Sequence, residues 1–310
     1  MEDILKKIGD IGIVPVVVIK DASKAIGLAK ALIDGGIPCA EVTFRTSAAQ
    51  EAIQKMSQAY PELILGAGTI LTVQQAENAI KAGAKFLVSP GYDQTLVDWT
   101  QEHHVSYVPG VCTASEVQVA VSHGFEILKF FPAEASGGVP MIKNLCGPFP
   151  HVKFMTTGGI SNDNIEPYAK SPNVLAVGGS WMVKADQIEA ENWEVIKTKC
   201  HQAISALHGF AFKGLALSCT PDQASALQTQ LAPFGLASNT PSSKPDIYCS
   251  SNGEKAPKLV ISTYNLERSV SYLSSYGFEQ SPNNDCLNCE KSCILQSKAG
   301  KYDIVLVQSN

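Results

Sequence analysis

The chain has 310 residues, of which 45% are hydrophobic and 17% are charged, and its net charge is −5 at pH 7. This composition excludes wholesale disorder, and the length favours one large domain with an appendage or two modest domains. Because the basic residues form no long block, we expect small-molecule partners rather than nucleic acid or an anionic membrane surface.

The first residues indicate no membrane anchor. The apolar stretch 11–19 is about half as long as the ~20 residues of a membrane helix, and it contains Gly12 and Pro15. Residues 1–10 mix both charges and have no apolar signal-peptide core. The nine cysteines are an odd number, which favours reduced thiols over a disulfide framework. We therefore expect a cytoplasmic protein.

A strand-like run followed by helical spacing repeats along the first two thirds of the chain. Eight such runs start between 20 and 26 residues apart, and they cover residues 13–19, 39–45, 63–69, 86–90, 106–111, 127–132, 153–159 and 174–180. Eight consecutive strand–helix units predict an α/β fold, a (β/α)₈ TIM barrel over residues 1–208. The alternative is an open doubly wound sheet, but the first turn lacks the glycine-rich sequence typical of that fold.

Residues 209–310 are predicted to form a smaller α+β C-terminal domain, because serine becomes more frequent after His208. Two similar strand–helix patterns occur there. The strands are predicted at 210–219, 258–263 and 302–308, and the helices at 221–231 and 265–275. Residues 237–257 are rich in Ser, Pro, Asn, Gly and Thr and predict a flexible loop.

One lysine interrupts the apolar sixth strand, Ile127-Leu-Lys129-Phe-Phe-Pro132. Strand alternation points Lys129 and Phe131 into the barrel, near the carboxyl-terminal face where barrel enzymes keep their active sites. Burial beside an aromatic ring favours a neutral amine, which is the nucleophile that forms Schiff bases with carbonyl substrates. The alternative is a buried Lys–Glu pair with a packing role.

The second strand places Glu41, Thr43 and Arg45 on one face, which we expect to enter the barrel. The carboxylate can move protons, and the guanidinium fits a substrate carboxylate. An Arg–Glu salt bridge at the barrel mouth is the alternative. A packed core is an improbable place for Lys, Glu and Arg together, so this combination favours an active site.

Paired glycines follow the seventh and eighth strands, at Gly158-Gly159 and Gly178-Gly179. Barrels commonly bind phosphate at these two loops. Glycine allows backbone N–H groups to approach an anion, and a helix starting after Ile160 would add its positive end. The two loops therefore predict a phosphate site.

The motifs Glu41-Val-Thr-Phe-Arg45-Thr, Gly66-Ala-Gly-Thr69, Ser89-Pro-Gly91, Lys129-Phe-Phe-Pro-Ala-Glu134, Thr157-Gly-Gly-Ile160 and Gly179-Ser-Trp181 resemble those of one enzyme family. It is the family of 2-keto-3-deoxy-6-phosphogluconate aldolases, which also act as 4-hydroxy-2-oxoglutarate aldolases. The resemblance covers residues 1 to about 207. It implies a Schiff-base lyase without metal or other cofactor, usually a homotrimer, that takes a phosphorylated keto acid. The epimeric 2-keto-3-deoxy-6-phosphogalactonate is an alternative substrate.

The resemblance also assigns roles to individual residues. Lys129 would form the Schiff base and Glu41 would be the acid/base. The substrate would be held by Arg45, Thr69, Pro90, Phe131 and Thr157, and the phosphate by Gly158, Gly159, Gly179 and Ser180.

The C-terminal part lies outside that resemblance. Its two strand–helix patterns weakly resemble half-modules of the glyoxalase/vicinal-oxygen-chelate superfamily, with only His208 and Gln308 near plausible ligand positions. Cys286, Cys289 and Cys293 could offer thiolates to zinc or an iron–sulfur cluster, but no fourth ligand is evident. We therefore expect free thiols and assign no metal site. The expected role of this part is ligand binding or assembly.

Overall fold

The computed structural model describes residues 4–218, 246–250, 258–281, 291–297 and 303–309. The chain divides into two compact units, Met1–Leu207 and His208–Asn310. Within the described residues, no helix is both long and apolar enough to cross a membrane.

The first unit alternates parallel strands with helices. The strands of its described residues are β1 (Ile13–Val17), β2 (Cys39–Thr43), β3 (Ile64–Gly68), β4 (Phe86–Val88), β5 (Tyr107–Val108), β6 (Gly110–Val111), β7 (Ile127–Phe130), β8 (Lys153–Thr157) and β9 (Val174–Gly179). The helices are α1 (Ile4–Ile11), α2 (Ala25–Asp34), α3 (Ala49–Ala59), α4 (Val73–Lys81), α5 (Gln94–Glu102), α6 (Ala114–Ser122), α7 (Gly138–Cys146), α8 (Ile165–Lys170), α9 (Ala185–Glu189) and α10 (Trp193–His208).

The predicted strand 106–111 closes this sheet into a barrel. The strand order is β5-β4-β3-β2-β1-β9-β8-β7-β6, so the two end strands are consecutive in sequence. Pro109 separates them, because proline has no amide hydrogen to give to a neighbouring strand. Its carbonyl still accepts a hydrogen bond from the Lys129 amide at 2.9 Å. The predicted strand 106–111 is thus two short strands, and the TIM-type barrel is confirmed.

Local sequence explains where the helices begin and which face they bury. Thr72, Asp93 and Thr113 each accept a hydrogen bond from a backbone amide three residues ahead, which caps α4, α5 and α6. On α3 the buried residues follow the spacing of one helical face, namely Ala49, Ala52, Ile53 and Met56. This face packs toward the barrel and leaves the polar residues of α3 in solvent.

Several strands end earlier than the sequence predicts. β2 ends at Thr43 instead of residue 45, and β4 ends at Val88 instead of Pro90. The apolar and polar alternation continues past the last ladder hydrogen bond, so sequence pattern overestimates strand length there. The extra residues form the carboxyl-terminal mouth of the barrel.

The second unit contains a mixed sheet and a helix. Its described elements are β10 (Ala211–Ser218), β11 (Asp246–Ser250), β12 (Lys258–Thr263), α11 (Leu266–Ser274), β13 (Phe278–Gln280), β14 (Ser292–Ser297) and β15 (Asp303–Gln308). The strand order is β11-β10-β12-β15-β14-β13. Leu266, Val270 and Leu273 of α11 pack against a buried cluster on one sheet face, formed by Cys293, Leu295, Ile304 and Leu306.

The structure corrects the loop predicted over residues 237–257. Residues 246–250 form β11, which pairs in parallel with β10. The run Ile247-Tyr248-Cys249 has high β-propensity, but the Ser- and Pro-rich residues around it mask that signal. The rest of this segment and the predicted helix 221–231 lie outside the described residues.

Two of the candidate metal ligands in the second unit, Cys293 and Gln308, lie within the described residues. Cys293 is buried in the cluster under α11, whereas Cys286 and Cys289 lie outside the described residues. The Gln308 side chain accepts a 3.4 Å hydrogen bond from the Leu266 amide. In the described part of the chain, no three His, Cys, Asp or Glu side chains are grouped to hold a metal ion.

His208 is buried in the second unit. Its Nδ1 lies 2.7 Å from Ser269 Oγ, and its ring stacks on Phe210 with the ring centroids 4.9 Å apart. Burial, and to a smaller extent the nearby charge of Arg268, lowers the pKa of His208 to about 3. The imidazole is therefore a neutral part of the packing at physiological pH.

Candidate active site

Lys129 and Glu41 meet inside the barrel. Lys129 Nζ lies 3.1 Å from Glu41 Oε1, although the two residues are 88 positions apart in sequence. Their exposed fractions are only 5% and 1%. Lys129 Nζ also lies 5.5 Å from the centre of the Phe131 ring. An amine and a carboxylate are thus held together in a site with little solvent.

Strand alternation and one glycine produce this geometry. On β7, Phe130 points away from the barrel interior and packs edge-to-face with Phe154, with the ring centroids 5.9 Å apart. Lys129 therefore points inward. On β3, Gly68 leaves room for Glu41, because a Cβ at Gly68 would overlap the Glu41 carboxylate. A larger residue at position 68 would displace that carboxylate.

Three buried side-chain oxygen atoms on β2 and β8 have no hydrogen-bond partner among the described residues. They are Oε2 of Glu41 and the Oγ1 atoms of Thr156 and Thr157. Thr157 lies two residues beyond Met155, which pairs with Lys129, so it shares the inward face of β8. Buried polar atoms are almost always hydrogen-bonded, and unpaired ones call for an explanation such as a role in function. Of the three, Glu41 Oε2 and Thr157 Oγ1 lie on the inward faces of their strands and are suited to contact a substrate.

Arg45 and Thr69 lie at the rim rather than inside the barrel. Arg45 is exposed, and its Nε donates a 3.2 Å hydrogen bond to Thr69 Oγ1. The prediction that Arg45 enters the barrel is wrong, because β2 ends two residues before it, at Thr43. Thr43 is buried, and its hydroxyl donates to the Val17 carbonyl at 2.9 Å. The guanidinium at the rim can still meet an anionic group entering the mouth.

The turn after β4 places Pro90 at the same end of the barrel. Ser89 Oγ donates to the Gly91 carbonyl at 2.5 Å and lies 2.6 Å from the Tyr107 hydroxyl. Gly110 leaves space for this turn, because a Cβ at Gly110 would overlap the Pro90 backbone. The Pro90 turn is thus held in a fixed position.

The glycine-containing loops follow β8 and β9, also at the carboxyl-terminal end. Gly158 and Gly159 have φ values of 111° and 80°, in the left-handed region that favours glycine. Gly179 is the last residue of β9 and is buried, whereas Ser180 beside it is exposed. The candidate phosphate residues therefore lie on two neighbouring loops.

The helix expected directly after Ile160 starts later. α8 begins at Ile165, because the side chain of Asn164 bonds the preceding loop instead. Asn164 Oδ1 accepts from the Ser161 amide at 2.8 Å, and its Nδ2 donates to the Gly159 carbonyl at 3.0 Å. This loop is therefore shaped by side-chain hydrogen bonds rather than by a helix start.

Two further contacts, one beside this loop and one within it, were not predicted from sequence. The Tyr168 hydroxyl donates to a carboxylate oxygen of Glu134, and Trp181 Nε1 donates to Asn162 Oδ1 at 2.8 Å. Burial and the contact with Glu134 raise the pKa of Tyr168, so its hydroxyl remains a donor. The motifs contain Glu134 and Trp181, but their partners appear in sequence as ordinary loop and helix residues.

Comparison with known proteins finds a family model and relatives that match the first unit. The family model described as KDPG and KHG aldolase matches residues 2–199. The 2-dehydro-3-deoxy-phosphogluconate aldolase of Treponema pallidum (strain Nichols) is 43% identical over 204 residues, which cover 66% of this chain and 97% of that protein. The KHG/KDPG aldolase of Escherichia coli (strain K12) is 42% identical over 192 residues, covering 62% and 90% respectively.

A solved structure is similar to the same part of the chain. It is the KDPG aldolase of Legionella pneumophila, with pyruvate captured at low pH as a covalent carbinolamine intermediate. It is 40% identical, has a TM-score of 0.62, and the match covers 64% of this chain and 96% of that one. Together with the family match, these similarities show that the chain belongs to the KDPG and KHG aldolase family, and that it is a lyase of the aldolase type.

Proposed function

We propose that the barrel cleaves 2-keto-3-deoxy-6-phosphogluconate to pyruvate and glyceraldehyde 3-phosphate through a Schiff base on Lys129. We propose that it also cleaves 4-hydroxy-2-oxoglutarate to pyruvate and glyoxylate. The observation that carries this proposal is the buried contact of 3.1 Å between Lys129 Nζ and Glu41 Oε1. It supplies a nucleophilic amine and a proton-transfer group at one point.

The chemistry follows from these two groups. The Lys129 amine attacks the C2 carbonyl, Glu41 gives a proton to the carbinolamine hydroxyl, and this hydroxyl leaves as water, so that a protonated imine remains. Glu41 then takes the proton of the C4 hydroxyl, the C3–C4 bond breaks, and its electron pair passes into the imine to give an enamine. The aldehyde leaves, Glu41 returns its proton to C3, and water hydrolyses the imine to release pyruvate and the free lysine, with the remaining proton passing back to Glu41.

The surrounding residues provide binding contacts in this proposal. Arg45 and Thr69, joined by a hydrogen bond at the rim, hold the carboxylate end of the keto acid. Pro90, Phe131 and Thr157 shape the pocket around the carbonyl. The backbone amides of Gly158, Gly159, Gly179 and Ser180 bind the phosphate at the loops after β8 and β9.

Borohydride trapping tests the assignment of Lys129. Pyruvate and borohydride together should add one reduced pyruvyl group to the peptide that contains Lys129, with loss of activity, because hydride converts the imine to a secondary amine that water cannot hydrolyse. The Lys129→Met variant should take no label, whereas Lys153→Met, at the exposed start of β8, should be labelled like the wild type. Labelling of another lysine, or inactivation that needs no pyruvate, would refute the assignment.

Steady-state kinetics test which of the two epimeric substrates the enzyme prefers. We expect a higher kcat/KM for 2-keto-3-deoxy-6-phosphogluconate than for 2-keto-3-deoxy-6-phosphogalactonate, which differs in the configuration of one hydroxyl. The reverse order would favour the epimer as the physiological substrate. The homotrimer and the cytoplasmic location stay predictions from the sequence and the resemblance.

A further inference from the structure

The loop after β8, residues 158–164, carries two of the proposed phosphate-binding residues in a backbone form that needs support. Gly158 and Gly159 both have positive φ values. Among the described contacts of this loop, side chains supply most of the specific hydrogen bonds, including those of Asn164 within the loop. The position of the glycine amides therefore depends on the side chains that hold the loop.

Trp181 connects this loop to the loop after β9. Its Nε1 donates to Asn162 Oδ1 at 2.8 Å, across 19 residues of sequence. The same indole ring lies against Gly179, because a Cβ at Gly179 would overlap the ring. One side chain thus contacts both glycine-containing loops, one by a hydrogen bond and the other by close packing.

Glu134 holds the opposite side of the loop. Its amide donates to the Gly158 carbonyl at 3.0 Å, and its carboxylate accepts a hydrogen bond from Tyr168 on α8. The loop is therefore bounded by the residues after β7 on one side and by those after β9 on the other. Among the described residues, the Asn162–Trp181 bond is the side-chain hydrogen bond that joins this loop to the loop after β9.

We propose that Asn162 and Trp181 are a positioning pair that sets the distance between the two phosphate-binding loops and so determines the preference for a phosphorylated substrate. This inference rests on the proposed function. Lys129 and Glu41 lie on strands β7 and β2, whereas the pair lies in loops, so breaking the pair changes phosphate binding and leaves the imine chemistry intact.

The test measures two substrates with five proteins, which are the wild type, three variants and a control. The variants are Trp181→Phe, which keeps an aromatic ring beside Gly179 but loses the N–H donor, Asn162→Ala, and the double variant. For 2-keto-3-deoxy-6-phosphogluconate, KM should rise about 3- to 10-fold, the equivalent of one hydrogen bond, with kcat changed less than about twofold. For 4-hydroxy-2-oxoglutarate, which has no phosphate, both constants should stay within about twofold of wild type.

The double variant should be no worse than the worse single variant, because both changes break the same bond. Trp99→Phe is the matched control, because Trp99 stacks on His103 at the end of α5. This variant should have the kcat and KM of the wild type for both substrates. Equal losses on both substrates, unaltered single variants, or additive losses in the double variant would each overturn the inference. If Trp181→Phe does not fold, Asn162→Ala decides alone.

The same data separate this inference from the proposed function. Wild-type enzyme that cleaves both substrates, with variants that behave identically to it, would overturn the positioning role and leave the aldolase assignment intact. Wild-type enzyme that cleaves neither substrate, and takes no label from pyruvate and borohydride, would overturn the proposed function together with the inference.

Discussion

At the scale of single residues, the site depends on two buried groups whose neighbours limit what they can do. Glu41 contacts Lys129 through one oxygen and has its second oxygen without a hydrogen bond from the described residues. A carboxylate arranged in this way can hold the amine with one oxygen and accept a substrate proton with the other. That division of tasks makes Glu41 more than the counter-ion of Lys129.

Replacing Glu41 by Gln should separate these tasks. The amide keeps the shape and a hydrogen bond to Lys129 but cannot carry a proton, so kcat should fall about 10²- to 10⁴-fold. Borohydride trapping of pyruvate on Lys129 should fall much less, because the first attack needs only the amine. Rapid-quench turnover and mass spectrometry measure the two effects. A variant with wild-type kcat would remove Glu41 from the mechanism.

His208 makes the stability of the second unit depend on pH. The pKa of a histidine in the unfolded chain is about 6.5, whereas the pKa of native His208 is about 3, so the native imidazole stays neutral to a much lower pH. Between these values the unfolded state binds more protons, so this contribution to stability is lost as pH falls from about 6.5 toward about 3. Hydrogen-exchange protection of residues 258–281, corrected for intrinsic rates, should decrease over this range.

The variant His208→Gln tests the source of that dependence. Glutamine can still bond Ser269 Oγ but does not titrate, so protection of residues 258–281 should change less steeply with pH than in the wild type. His103→Gln is the control, because His103 is exposed at the end of α5. An unchanged pH dependence in His208→Gln would show that carboxyl groups, rather than this imidazole, control the acid sensitivity.

At the scale of secondary-structure elements, a close approach between neighbouring strands places Glu41. Gly68 on β3 sits where any side chain would overlap the Glu41 carboxylate on β2. Gly68→Ala should therefore shift the carboxylate away from Lys129, with a loss of kcat of about 10²-fold and a stability cost of about 1–3 kcal/mol. Gly147→Ala, at an exposed position after α7, should keep full activity. Full activity of Gly68→Ala would contradict the proposed role of the Glu41 position.

The strands also show which parts of the structure the sequence pattern predicts and which it does not. The spacing of apolar runs predicts the barrel strands because each run is buried on both faces and is followed by a helix. It does not predict β11, β13 or β14, where strand pairing rather than composition decides the conformation. Nor does it reveal the Asn162–Trp181 contact, which exists only because β8 and β9 are neighbours. Patterns therefore identify Lys129 and Glu41 as inward-facing, while their partnership needs the closed barrel.

At the scale of the whole molecule, the aldolase site and the compositional change occupy different parts of the chain. The proposed site residues lie between Glu41 and Ser180, within the unit Met1–Leu207. The 204 residues that match the Treponema pallidum aldolase cover 97% of that protein, so the first unit corresponds to nearly all of a complete relative. The second unit adds a sheet with its own hydrophobic clusters. We therefore expect the barrel to work without it.

A chain shortened to residues 1–208 tests this expectation. Because β5 and β6 already close the barrel with residues from the first unit, the shortened protein should fold and keep kcat and KM within about twofold of the full chain. If the second unit acts in assembly, the shortened protein should show a weaker association by sedimentation or a lower melting temperature at equal turnover per site. If it binds an effector, the response to that molecule should disappear. A shortened protein that is folded and assembled but inactive would show that the second unit completes the active site.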